Sequence, residues 1–128
     1  MNIQRLSGRK QVGWLRRKGK VFKGKTMMFI HHLSPPLLSD SAVETWFIGT
    51  AASAKLSKLA VKRNRMRRRC REAVRTTIIE QQHLPTLQLL IIPRSASLDA
   101  PYVQLQEDVE QFIQFINNLE PYGSKAKN

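Results

Sequence analysis

The hydrophobic and polar positions divide the chain into strand-like and helix-like segments. Apolar runs of strand length, rich in aromatic or β-branched residues, occupy residues 25–33, 44–53 and 87–93. The last run, LQLLIIP, is apolar at nearly every position, which is typical of a strand buried on both faces. Pro35 and Pro36 remove two backbone donors and predict a loop after the first run.

Three other segments show helical signals. The segment LSGRKQVGWLRRKGK predicts a short helix that ends at Gly19. Residues 58–82 contain no glycine or proline and predict a long helix. In the third segment, SLDAPYVQLQEDVEQFIQFINNL, apolar residues recur at helical spacing, at Leu105, Val109, Phe112, Ile113 and Ile116. A chain of 128 residues is long enough for one core, so we expect one domain over residues 1–120 and a frayed tail at 121–128.

Positive charge is concentrated in the first 75 residues. The chain has 22 Lys and Arg against nine Asp and Glu, a formal net charge of +13, and a pI near 10.8. Residues 55–75 hold ten of the basic residues and a single acid, Glu72, whereas residues 76–128 carry more acids than bases. This imbalance favours a polyanionic partner, either nucleic acid or an anionic membrane.

Other features restrict the class of protein. The single cysteine, Cys70, cannot form an internal disulfide, and a reduced cytoplasmic location is the expectation. No apolar run approaches the roughly 18 residues of a membrane span, and the N-terminus lacks the apolar core of a signal peptide. Cys70 falls on the apolar side of the long helix, where packing in the core is the expected role.

No cofactor site or catalytic centre is predicted in this chain. His31 and His32 are adjacent in a strand and point to opposite faces, so they do not favour a shared metal ion. The acids Glu107, Asp108 and Glu110 are interpreted as the solvated face of the last helix, not as a general acid/base pair.

The long helix has an apolar side and a cationic side. At 100° per residue, an apolar stripe forms from Leu59, Met66, Cys70, Ala73, Val74 and Thr77. The far side collects Asn64, Arg67, Arg68, Arg71 and Arg75. Lys62 and Arg69 flank the stripe, and Arg65 lies between them and the far side. Arg63 falls inside the stripe. Its side chain is therefore expected either to bond to neighbouring backbone or an acid, or to contact phosphate, and both interpretations stay open.

Five like-charge pairs at i and i+4 spacing destabilise this helix. At roughly 0.2–0.5 kcal/mol each they cost about 1–2.5 kcal/mol, against about 5–15 kcal/mol for the stability of a small domain. A phosphate backbone would turn the repulsion into attraction, and the planar arginine fork suits phosphate oxygens. A basic surface helix without a partner and a nuclear-targeting run are the weaker interpretations.

The segment KRNRMRRRCREAVR resembles the signature helix of the bacterial ribonuclease P protein component. The matching positions are Arg63-Asn64-Arg65, Met66, Arg67-Arg68 and Arg71-Glu72-Ala73. IGTAASAK resembles the strand before that helix, LSGRKQVGWLRRKGKVFKGK resembles the opening helix, and LQLLIIPRSAS with the acidic helix resembles the end of the domain. The resemblance therefore covers nearly the whole chain, and the Arg-Asn-Arg helix is its specific part.

The resemblance implies a fold and a role. The fold is an α/β (α+β) two-layer sandwich of order α-β-β-β-α-β-α, with a left-handed crossover through the basic helix. The role is that of the protein subunit of ribonuclease P, a ribonucleoprotein that removes the 5′ leader from precursor tRNA. Catalysis belongs to the RNA subunit and its Mg²⁺ ions, so this chain would bind the catalytic RNA and the precursor tRNA and would need no membrane and no further protein partner.

The resemblance also implies functional residues. The RNA-binding set comprises Arg63, Asn64, Arg65, Arg67, Arg68, Arg71 and Lys62, with Ser53 and Lys55 at the neighbouring strand end. The leader cleft is usually lined by aromatic residues at three positions, which here are Val12, Arg16 and Ile30. Two further departures are Ala54 in place of a usual lysine and Arg69 in place of a usual apolar residue.

The residues leave several alternatives open. A base could stack on the guanidinium of Arg16 or on a ring supplied by Trp14, Phe22 or Phe29, although core packing is the expected role of Phe29. A structural RNA-binding protein of ribosomal type is the second interpretation of the function. A membrane-active basic protein is the third, disfavoured because the basic helix has no broad aromatic face.

Overall fold

A computed structural model describes residues 2–6, 8–36, 44–81 and 83–119. In these residues the chain forms five strands, β1 (Asn2–Arg5), β2 (Lys20–Lys23), β3 (Met27–His32), β4 (Thr45–Thr50) and β5 (Leu87–Pro93). It forms three α-helices, α1 (Arg9–Lys18), α2 (Ala60–Ile78) and α3 (Tyr102–Leu119), and a 3₁₀ helix at Ser95–Leu98. The predicted tail at 121–128 lies outside the described residues.

The five strands form one mixed sheet in the order β1-β4-β5-β3-β2. β4 and β5 are parallel neighbours joined through α2, and β3 pairs antiparallel with β5 and with β2. The predicted α/β class and the element order from α1 onward are confirmed. β1 is an addition that the sequence did not predict, because NIQR is short and polar; it pairs parallel with β4.

The main core lies between one face of the sheet and the helices α2 and α3. β5 is buried on both faces, as its apolar run predicts. From α2 the core receives Met66, Cys70, Ala73, Val74, Thr77 and Ile78. From α3 it receives Leu105, Val109, Phe112, Ile113 and Ile116. The apolar spacing of both helices therefore predicted their buried faces correctly, with one exception at the start of α2.

Leu59 is that exception. It precedes the first helical residue and is 54% exposed, so its assignment to the apolar stripe was wrong. The helix is also shorter at both ends than the range 58–82 predicted from composition. Cys70 is fully buried as predicted, and burial raises the pKa of its thiol to about 12. The thiol is therefore protonated and acts as a small apolar group.

α1 covers part of the other face of the sheet. Its Leu15 is fully buried against a smaller cluster formed by Leu6, Ile30, Phe47 and Leu90. Gly19 ends the helix as predicted, but its φ of −74° needs no glycine. The reason for glycine is space, since an added Cβ would lie 2.6 Å from the Leu15 carbonyl oxygen and 2.8 Å from Ile30 Cγ2.

An aromatic cluster joins β2, β3 and α3. Phe29 is fully buried and stacks on Phe112 with ring centroids 4.4 Å apart, and Phe22 packs against Phe112 and Phe115. His31 lies edge-on to Phe112, and burial lowers its pKa, which keeps the imidazole neutral at neutral pH. Phe22 and Phe29 are thus committed to the core.

The interpretation of Asp108 as a solvated acid was wrong. Asp108 is 3% exposed, and its Oδ2 accepts hydrogen bonds from the Thr26 backbone N–H at 2.7 Å and from the Thr26 hydroxyl at 2.5 Å. The carboxylate thereby ties α3 to the turn between β2 and β3. Glu107 and Glu110 are exposed as predicted. In the described residues no helix is long and apolar enough to cross a membrane.

Replacing Asp108 by Ala should lower the free energy of unfolding by about 1–3 kcal/mol, because it leaves the buried Thr26 donors without an acceptor. Asp108→Asn keeps an acceptor oxygen and should lower the free energy of unfolding by less than Asp108→Ala does. The exposed Glu110→Ala is the matched control and should change stability by no more than about 0.5 kcal/mol in urea unfolding. Equal losses in Asp108→Ala and Glu110→Ala would contradict the tie between α3 and the turn.

Candidate nucleic-acid interface

One flank of α2 forms a basic pocket with the end of β4. Four predicted residues come together there, because positions 64, 67, 68 and 71 fall within about 100° on a helix. Asn64, Arg67, Arg68 and Arg71 line this pocket of about 230 Å³ with Thr50, the last residue of β4. We call it the α2 pocket. Its lining provides three guanidinium groups and no carboxylate.

Hydrogen bonds organise part of the α2 pocket. The Arg67 guanidinium donates to Asn64 Oδ1, which orders both side chains on the helix surface. Arg68 and Arg71 are exposed. Within the described parts of the chain, the one ion pair joins Arg75 to Glu72 at 2.7 Å and lowers the pKa of that carboxyl. The single acid of the helix is therefore engaged by Arg75 and not by the pocket arginines.

Arg63 does not line the α2 pocket. Its Nη1 donates to the backbone carbonyl of Ser57 at 2.7 Å, and the side chain is half-buried. This contact agrees with the backbone interpretation of its position inside the apolar stripe. Arg63 anchors the loop that leads into α2, which fixes where the helix begins.

Arg69 faces the opposite flank of α2. Its guanidinium donates to the carbonyls of Ser97 at 2.6 Å, Leu98 at 3.0 Å and Ala100 at 2.7 Å. These carbonyls belong to the 3₁₀ helix and the segment leading into α3. The departure from a usual apolar residue at this position is thus explained, since the half-buried side chain acts as a tie within the fold.

The remaining predicted contacts surround the α2 pocket without lining it. Ser53 and Lys55 are exposed in the loop that follows Thr50, and the Leu56 N–H closes a turn on the Ser53 carbonyl at 3.0 Å. Lys62 and Arg65 are exposed on the other side of α2, toward the Arg69 flank. Their assignment to RNA stays a prediction.

The predicted leader residues lie on or under α1. Val12 and Arg16 are four residues apart and share one flank of the helix, where Arg16 is exposed and Val12 half-buried. Ile30 is 6% exposed beneath α1, packed with Leu15 and Leu90. The structure therefore brings the three positions into one region, but it gives Ile30 little surface to offer a ligand.

Three polar residues beside these sites were not predicted to have a functional role. Thr50 completes the α2 pocket, and its signal was a polar β-branched residue within a predicted strand. Gln88 is 1% exposed on the α1 side of the sheet and was the one polar residue within LQLLIIP. His32 lies beside Trp14 with ring centroids 5.0 Å apart. The predicted opposite orientations of His31 and His32 are confirmed.

Comparison with known proteins identifies the family. The family model described as Ribonuclease P matches residues 2–117. The chain belongs to the Ribonuclease P family. Membership makes it part of a ribonuclease complex, and it confirms the resemblance found in the basic helix.

Two relatives illustrate the sequence similarity within the Ribonuclease P family. The ribonuclease P protein component of Symbiobacterium thermophilum is 38% identical over 76 residues, covering 59% of this chain and 64% of that protein. The component of Rickettsia bellii is 28% identical over 113 residues, covering 88% of this chain and 93% of that protein. The chain thus spans just under two thirds of the first relative and most of the second.

Solved structures of ribonuclease P proteins share the fold. The protein from Thermotoga maritima superposes with a TM-score of 0.66 at 18% identity, covering 88% of this chain and 97% of that chain. The protein from Staphylococcus aureus gives a TM-score of 0.62 at 17% identity, covering 87% and 93%. At these identities the similarity establishes the fold alone.

Adjacent arginines of α2 should respond differently to mutation. Arg69→Ala should lower the free energy of unfolding by about 1.5–3 kcal/mol, because it removes a charged donor shared by three carbonyls. Arg68→Ala, its matched control one position away, should change stability by no more than about 0.5 kcal/mol because Arg68 is exposed. Similar unfolding midpoints for the two variants would contradict the assignment of Arg69 to the fold and of Arg68 to the exposed surface.

Proposed function

We propose that this chain is the RNA-binding subunit of ribonuclease P. The α2 pocket binds phosphates of the catalytic RNA, and the α1 side of the sheet holds the 5′ leader of precursor tRNA. The RNA subunit with its Mg²⁺ ions then performs the cleavage. Family membership supports the complex, and the α2 pocket is the observation that supports RNA as what this surface binds.

The α2 pocket suits phosphate because of its charge and its geometry. Arg67, Arg68 and Arg71 present planar forks from one flank, and Asn64 and Thr50 add neutral hydrogen-bonding groups. The like-charge repulsion along the helix, about 1–2.5 kcal/mol, is relieved when phosphates neutralise the arginines. Release of counterions from the RNA adds to the affinity and makes it depend on salt.

The buried contacts of α2 make this surface rigid. Met66 and Cys70 are buried on one face of the helix, while Arg63 donates to the backbone of the preceding loop and Arg69 to the backbone of the 3₁₀ helix. The α2 pocket is therefore held in position before RNA arrives. A preorganised surface loses less conformational entropy on binding than a flexible basic tail.

The assignment of the leader to the α1 side rests on fewer charged groups than the assignment of the catalytic RNA to the α2 pocket. Val12 and Arg16 offer an apolar contact and a guanidinium plane on one flank of α1. A guanidinium can stack on an unpaired base, which suits a single strand better than a duplex. Ile30 supports this flank from beneath by packing under α1.

Mg²⁺ is assigned to the RNA subunit. In the described segments no three His, Cys, Asp or Glu side chains lie close enough together to hold a metal ion, so the residues present do not fit a protein-borne centre. No chemical step is therefore assigned to a side chain of this protein. Its contribution is to bind and orient the two RNAs and to neutralise phosphate charge.

Reconstitution tests the proposal. The wild-type chain mixed with its cognate catalytic RNA should restore precursor tRNA cleavage at physiological salt. Arg67→Ala/Arg68→Ala should weaken catalytic-RNA binding and make the slope of log affinity against log salt shallower by about 1–2, because two phosphate contacts are lost. The measurement is a salt titration of RNA binding with cleavage followed in parallel.

A matched double variant controls for total charge. Lys20→Ala/Lys23→Ala removes two exposed cations from the edge strand β2 and should leave the affinity for catalytic RNA nearly unchanged. Equal losses in the two double variants would contradict a specific role of the α2 pocket. Binding of RNA without any restored cleavage, or equal binding to an unrelated duplex of the same length, would favour the structural RNA-binding alternative.

A further inference from the structure

A second cleft lies on the other flank of α1. It has a volume of about 550 Å³, and neither Val12, Arg16 nor Ile30 lines it. Its body is formed by Trp14 of α1, His32 of β3, Pro35 and the buried Gln88 of β5. We call it the Trp14 cleft. The proposed function makes no use of these residues.

The walls of the Trp14 cleft are held in place by hydrogen bonds. Gln11 of α1 donates to Gln88 Oε1, and Gln88 Nε2 donates to the Pro35 carbonyl at 3.3 Å and to Ser34 Oγ at 3.4 Å. His32 Nδ1 lies 2.6 Å from the same Ser34 hydroxyl. The helix, the sheet and the loop after β3 are thus tied together, which makes the cleft a preformed site.

The chemistry of the cleft favours a ligand with a flat ring and a separate negatively charged group. Trp14 and His32 meet edge-on at 5.0 Å with an interplanar angle of 77°, and Trp14 is only half-buried. Arg9, Lys10 and Arg17, all exposed, line the rim. Aromatic rings surrounded by cations suit an unpaired nucleotide, whose base stacks while its phosphate meets the rim.

Trp14 is the ring best placed for this role. Of the three aromatic residues considered for the leader, Phe29 is fully buried and Phe22 packs among Phe112 and Phe115. Trp14 alone among these three lines a cleft. The second tryptophan of the chain, Trp46, is fully buried in the main core.

The position of the cleft separates it from the α2 pocket and from the Val12 and Arg16 flank of α1. Gln88 and His32 are register partners at one end of the β3–β5 pair, whereas Thr50 of the α2 pocket pairs with Ile91 toward the other end. Gln88 and Ile91 are three residues apart, about 10 Å along the strand. Val12 and Arg16 lie on the opposite flank of α1 from the cleft, so a leader that contacts both flanks must pass the helix, about 10 Å across, and has to be longer than one that contacts Val12 and Arg16 alone.

We infer that the Trp14 cleft binds one unpaired nucleotide in the upstream part of the 5′ leader, with its base stacked on Trp14 and its phosphate on the basic rim. This inference rests on the proposed function. It adds a subsite that only a sufficiently long leader can fill.

The test compares precursors with long and short leaders in the reconstituted holoenzyme. Trp14→Leu should weaken binding of the long-leader precursor about 5- to 150-fold, as expected for one stacked base. It should leave the short-leader precursor, mature tRNA and the affinity for catalytic RNA unchanged. Trp14→Phe keeps a stacking face and should retain most of the affinity.

The rim is tested with a matched pair of cations. Arg17→Ala should weaken binding of the long-leader precursor more than binding of the short-leader precursor. Lys23 is an exposed cation outside the cleft, and Lys23→Ala should change the affinity for neither precursor. An unchanged long-leader affinity in Trp14→Leu would overturn the inference. So would an equal loss for all substrates or a loss confined to catalytic-RNA binding.

Tryptophan fluorescence supplies a second measurement on the full-length protein alone. A single-stranded RNA oligonucleotide should quench the Trp14 emission, while the buried Trp46 gives a constant background. Trp14→Leu should abolish the quenching, and its far-ultraviolet circular dichroism and urea unfolding midpoint should show that the fold persists. Quenching by an acidic peptide but not by RNA would overturn the inference, whereas a wild-type holoenzyme without cleavage activity would instead overturn the proposed function.

Discussion

The packing of α2 against the sheet is the constraint on which the rest of the structure depends. Met66, Cys70 and Ala73 are buried on one side of this helix, so the remaining positions cannot rotate away from where the core places them. The arginines at positions 67, 68 and 71 therefore converge with Thr50 on one flank. On a flexible segment these charges would sample many positions, whereas on the packed helix they are held in one arrangement.

Two arginines of the same helix contribute to this order in a different way. Arg63 and Arg69 both donate to backbone carbonyls, one before the helix and one across to the 3₁₀ helix. A segment that reads as uniformly basic is thus divided into ties within the fold and side chains free to meet a polyanion. The exposed acids Glu107 and Glu110 lie on α3, on the sheet face opposite α1, and α1 itself contains no acidic residue.

Periodicity and composition predicted much of this molecule. The buried faces of α2 and α3, the burial of β5 and the opposite orientations of His31 and His32 follow from local spacing, and the structure confirms them. Failures occurred where long-range contacts decide. Asp108 looked solvated because its partner Thr26 is 82 residues away in sequence, and β1 forms only because β4 provides an edge to pair with. The Trp14 cleft likewise needs α1, β3 and β5 to meet, which no local pattern reports.

Arginine-specific chemical modification, read by mass spectrometry with and without the catalytic RNA, tests the central claim most directly. Arg68 and Arg71 should react in the free protein and become protected when RNA binds, because both are exposed in the α2 pocket. Arg69 should react slowly in both states, because three carbonyls hold its guanidinium. Arginines 68 and 71 that react equally with and without RNA would contradict the account.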